Sequence, residues 1–231
     1  MERKKRLEEA KSEQAIPEEE VRQQRSRLID HFKRAYQIIV GLAITLACGK
    51  LFAHGTIELS DPALLLFCTF FITVVPIFHG GDRSLDLKYL GEKPSSGWNQ
   101  LAYIWDVYML LITAIFFVKI AQAIPGPGIG FLDNSGTATA GHFYDWMAAM
   151  LFFDASVLFI DGVKSALLGS RAWTRLQVYV TWILLNVALG ILCLAIPQTT
   201  WSPEAVGIVV FLAAFVRTVL DYIAGSKFMF P

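Results

Sequence analysis

Carboxylates set in otherwise apolar stretches are the residues of this chain best placed to do chemistry. Asp154 and Asp161 share one stretch, Asp106 lies in another, and His79, Asp82, Arg83 and Asp86 crowd the end of a third. A carboxylate at bilayer depth costs at least ~2.5 kcal/mol on insertion scales, so its default reading is functional. Seven residues turn a helix almost twice, so Asp154 and Asp161 share a face, ~10 Å apart along the axis. Lys164 follows Asp161 by three and can reach back to it, while Arg217 and Asp221 are four apart. Ladders of acids on one helical face suit the stepwise passage of protons or cations. The expected pathway is Asp154, Asp161 and Asp106, with Arg83, Lys164, Arg217 and Asp221 as charge-pair partners.

The acids outnumber the bases near them. Asp82, Asp86, Asp106, Asp154, Asp161 and Asp221 face Arg83, Lys164, Arg217 and His79. A bare ionised carboxylate at the depth of Asp154 is too costly, which leaves it protonated, hydrated or metal-bound. Asn186 adds a neutral polar group near mid-membrane.

A second chemistry is metal-dependent hydrolysis of a lipid. His79 and Asp82, joined by Asp106 or Asp161, would hold Zn²⁺ or another divalent ion with one position open to water. Histidine is scarce for that purpose, because His31, His54 and His142 lie elsewhere. Cys48, Cys68 and Cys193 share no metal-binding spacing and read as small buried hydrophobes. No cofactor is expected outside the metal alternative, and no catalytic residue is assigned. The stretch around Gly128, Ile129 and Gly130 lacks the GK[ST] ending of a phosphate loop and reads as a flexible connection.

The elements that must hold these residues are six apolar runs, at about 35–53, 62–80, 101–122, 144–167, 174–196 and 205–224. A hydrocarbon core about 30 Å thick needs ~20 apolar residues per helix, and the chain repeats that length. The expected fold is all-α, a polytopic bundle of six transmembrane helices over 35–224, with a charged segment 1–34 before it and a tail 225–231 after it. Hydrophobic residues are 55% of 231 and the net charge is zero, which suits one bundle and gives no reason to expect a nucleic-acid partner.

Half of the twenty Lys and Arg fall in the first 34 residues, alternating with acids. Pro17 followed by Glu18, Glu19 and Glu20 is a helix start, with Pro in the first turn and carboxylates at the positive end of the dipole. That helix is expected to run unbroken into the first span. Its charges read as solvated surface, with anionic headgroups or a cytoplasmic partner as functional alternatives. The first apolar run begins near Ala35 and leads into Lys50, Leu51 and Phe52, so no cleavable signal is expected. A non-enzymatic sensor or scaffold is the third functional class, resting on this helix.

Orientation follows from the basic residues. Eighteen of twenty fall on the side of the termini, and only Lys50 and Lys119, near enough to span ends to snorkel, fall on the other. Both termini are therefore expected in the cytoplasm, with the protein in a bacterial inner (plasma) membrane. The bilayer is its first partner, and a second copy of the chain another. A cysteine placed at Ser135 should react with an impermeant maleimide on intact cells, whereas one at Ser95 should need permeabilisation; the reverse pattern inverts the assignment.

Overall fold

A computed structural model describes residues 18–52, 61–90, 100–126, 139–167 and 173–226. The segment before Glu18, the Gly128–Gly130 connection, Ser95, Ser135, His54 and the tail beyond Ser226 lie outside the described residues. Six α-helices account for nearly all of what is described: α1 (Glu18–Phe52), α2 (Pro62–Tyr89), α3 (Gln100–Ala123), α4 (Ala140–Leu167), α5 (Trp173–Ala195) and α6 (Pro203–Ala224). A short 3₁₀ turn, Ile196–Gln198, links the last two. All six helices contain stretches long and apolar enough to cross a membrane. Their outward faces stay apolar, as at Ile38, Leu101, Leu184 and Ile223, all well exposed.

The local sequence explains where these helices start. Pro62 and Pro203 each stand at a first helical position, where a missing N–H costs nothing. Before them, Asp61 accepts a hydrogen bond from the Ala63 N–H at 2.8 Å and Ser202 accepts one from Ala205 at 3.3 Å. α1 runs without a break from Glu18 through the first apolar run, as the Pro-Glu-Glu-Glu start implies. α2 is longer than the apolar run alone suggests, continuing past Gly80 and Gly81 to Tyr89. Its extra turns carry charges that neighbouring helices meet, which is why the glycines do not end it.

Pro76 sits inside α2 without interrupting it. A proline there cannot bond the carbonyl four residues back, which is that of Ile72. The Thr218 hydroxyl of α6 donates to that carbonyl at 2.8 Å, turning an orphaned acceptor into an interhelical tie.

The helices close into a ring. α1 packs on α3, α3 on α4, α4 on α5, α5 on α6, α6 on α2, and α2 back on α1, with α2 also touching α3. Successive helices run in opposite directions. A continuous apolar core built on Phe70, Phe117, Phe143, Met147, Met150 and Leu151 fills the half of the ring nearer Lys50. α6 approaches α2 at Gly207, where a Cβ would lie 3.1 Å from Leu65.

Lys50 does not snorkel. Its side chain is fully buried, and its ammonium donates to the carbonyls of Gln122 and Ile124 at the C-terminal end of α3. A helix end leaves its last carbonyls unmet, and a cation there satisfies both the hydrogen bonds and the dipole. Lys50→Met should lower stability in detergent by about 2 kcal/mol, because two buried acceptors lose a charged donor. Thr218→Val should cost about 1 kcal/mol by freeing one neutral acceptor. Thermal unfolding of both variants checks the order.

Candidate functional site

In the other half of the ring, a cavity of about 100 Å³ lies between five of the six helices. That is room for several water molecules, provided polar groups meet them. α2 contributes Gly80, Gly81, Ser84 and Lys88 to its wall, α3 Asp106, α4 Asp154 and Asp161, α5 Tyr179 and Trp182, and α6 Arg217 and Asp221. All three expected pathway acids and both polar residues singled out on α6 therefore line one space.

The polar groups form two levels. At the outer level Lys88 bridges α3 and α4, its Nζ 2.6 Å from Asp161 and 3.0 Å from Asp106. The Tyr89 hydroxyl donates to the same Asp106 oxygen at 2.8 Å. Lys164 stands farther off, 3.9 Å from the other oxygen of Asp161 and half exposed. Both carboxylates are largely covered, at 14% exposure.

At the inner level one amide stands between two charges. Asn186 on α5, fully buried, donates through Nδ2 to Asp154 at 2.6 Å. Its Oδ1 accepts from Arg217 twice, from Nε at 3.1 Å and from an Nη at 2.8 Å. The remaining Nη of Arg217 forms an ion pair with Asp221 at 3.2 Å. Arg217 and Asp221 are themselves buried, so this pair is held in low dielectric, where removing either partner would strand the other. Asp154 uses only one oxygen in this network. It lies deep in the bundle yet is only half-buried, because it faces the cavity.

A third cluster tethers α1. Lys33 reaches Asp82 and Asp86 on α2, each at 3.0 Å, well outside the cavity lining.

These contacts correct several sequence expectations. Beside the expected Arg83, two lysines meet the acids: Lys33 takes Asp82 and Asp86, and Lys88 takes Asp106 and Asp161. Five residues separate Arg83 from Lys88, which is about 140° around the helix, and Lys88 is on the face that lines the cavity. Arg217 does not pair directly with Asp154, because Asn186 stands between them. The proposed ligands His79, Asp82, Asp106 and Asp161 do not converge. His79 sits against Tyr222 of α6, with ring centroids 6.4 Å apart, while the three acids turn to lysines. Among the described residues no three His, Cys, Asp or Glu side chains are placed to hold a metal ion.

Sequence reasoning undervalued Lys33 and Lys88, which it counted only as topology charges. A usable signal was present: Lys88 falls seven residues after Gly81 and four after Ser84, on the small-residue face that lines the cavity. Comparison with protein-family models, curated proteins and solved structures finds no match.

Lys88→Met should destabilise the bundle by about 2 kcal/mol, below the usual range for a buried pair because Lys88 stays partly exposed. Adding Asp106→Asn and Asp161→Asn should restore much of that loss, since two facing carboxylates no longer lack a cation. Unfolding of the single and triple variants in the same detergent measures the difference.

Proposed function

We propose that this protein passes protons or small cations across a membrane, using the cavity as a hydrated passage in half of its thickness. One observation carries the reading: four carboxylates and two basic groups line a single cavity at two depths, and Asp154 has an oxygen that no group among the described residues bonds. A bundle built only for stability is better served by apolar packing, because replacing buried ion pairs with hydrophobic residues is often neutral or stabilising. The excess of acids over bases in the lining favours a positively charged cargo.

In this reading the outer level, Lys88 with Asp106 and Asp161, faces the cytoplasm. Both termini lie on that side, in keeping with the distribution of Lys and Arg, and the membrane is a bacterial inner membrane. The apolar core beyond Asp154 is the barrier that any passage must cross. A homo-oligomer in the bilayer, and a cytoplasmic partner on the charged N-terminal helix, belong to the same proposal.

Asp154→Asn should fold and insert normally, because the amide keeps its shape and can still bond Asn186. Flux in proteoliposomes should fall about tenfold or more, equivalent to at least ~1.4 kcal/mol of added barrier. Flux equal to wild type in a correctly inserted Asp154→Asn protein overturns the reading.

A further inference from the structure

We propose that Asp154 is a proton-binding site, and that Asn186 preserves it by holding Arg217 away. The proposal deepens the transport reading by naming the proton as the cargo, and rests on that reading for the passage itself. The geometry is unusual in one respect. A guanidinium and a carboxylate on facing helices, both at the same buried level, would ordinarily form a bidentate pair. Here the Asn186 side chain occupies the space between them, accepting from Arg217 with its oxygen and donating to Asp154 with its nitrogen. An amide can fill both roles at once, because it carries an acceptor and two donors. Arg217 is committed to Asn186 and Asp221, and among the described residues Asp154 hydrogen-bonds one neutral partner.

The surroundings of Asp154 suit a proton better than a metal cation. A dehydrated metal ion needs a shell of about six oxygens. Apolar side chains, among them Ile77, Leu110, Val157 and Leu158, line the same cavity as Asp154. The charged groups facing the same cavity are Lys88 from α2, Asp106 from α3, Asp161 from α4 itself, and Arg217 with Asp221 from α6; α5 contributes the Tyr179 phenol. Arg217 fixes a positive charge next to the site, which opposes a metal ion but tolerates a neutral carboxylic acid.

A further unmet polar group lies just behind the cavity wall. Tyr36 on α1 is 2% exposed, and its hydroxyl has no hydrogen-bond partner among the described residues. It points toward Gly81, where a Cβ would lie 3.7 Å from it, and Gly81 is part of the cavity wall. The step is then simple: a hydronium ion in the cavity gives its proton to the free oxygen of Asp154, leaving water and a neutral acid, and the reverse step releases it.

Isotope-difference infrared spectroscopy of the full-length protein tests the site, and flux in proteoliposomes tests the cargo. Wild type should show a protonated-carboxyl band that shifts in D₂O and disappears in Asp154→Asn. Asn186→Ala should weaken that band severalfold, as Arg217 closes onto Asp154, and adding Arg217→Gln should bring it back. The absence of any Asp154-dependent band at every pH where the protein stays folded overturns the proposal, and an undiminished band in Asn186→Ala overturns the role of Asn186. Proton flux should be unchanged when Na⁺ and K⁺ are replaced by a bulky organic cation. Flux that requires Na⁺ or K⁺ and moves no protons overturns the proposal while leaving transport standing. The band without flux of any ion upholds the site and removes the transport reading instead.

Discussion

A charged side chain inside six apolar helices has no bulk water to fall back on, and the arrangement of this bundle follows from that constraint. Each buried charge must be met by a group on another element, and meeting it fixes which helices adjoin and how they are rotated. Lys33 ties α1 to α2, Lys88 ties α2 to α3 and α4, and Asn186 with Arg217 ties α4, α5 and α6. At the opposite end Lys50 ties α1 to the end of α3. Apolar packing alone is weakly directional between helices in lipid, so these polar ties supply much of the orientation.

The same constraint divides the bundle into two halves of different character. The half near Lys50 is filled by aromatic and aliphatic side chains, and the buried charge of Lys50 is spent on carbonyls. The other half gathers the acids around a cavity and leaves them incompletely paired. Incomplete pairing is costly in a membrane, and among the described residues it recurs at more than one place: one oxygen of Asp154, the Tyr36 hydroxyl and one oxygen of Asp82. Water in the cavity would reconcile the first with the expense of burying it.

The six spans were legible because an apolar run of twenty residues has few other meanings, and the gathering of Asp106, Asp154 and Asp161 followed from their depth. Partners were not legible. Helical spacing says which residues share a face but not which neighbour that face meets, so the bridge from Lys88 to Asp106 and Asp161 could not be read before α2 was placed. Asn186 was visible as a polar residue at mid-span, yet nothing in its surroundings in the sequence tells that Arg217 and Asp154 meet on either side of it. His79 and Asp82 share a helical spacing but turn to α6 and α1, since α2 packs between both.

The central claim is that the cavity beside Asp154 holds water while the core beyond it is dry, and three methionines report on that directly. Met109 lines the cavity, whereas Met147 and Met150 are fully buried in the apolar core. Radiolysis by a short X-ray pulse turns water into hydroxyl radicals where it stands, and methionine is oxidised by radicals formed next to it. Mass spectrometry of the intact protein after such a pulse should find Met109 converted to its sulfoxide well ahead of Met147 and Met150. Equal, slow oxidation of all three would mean that the cavity is dry, and would contradict the account.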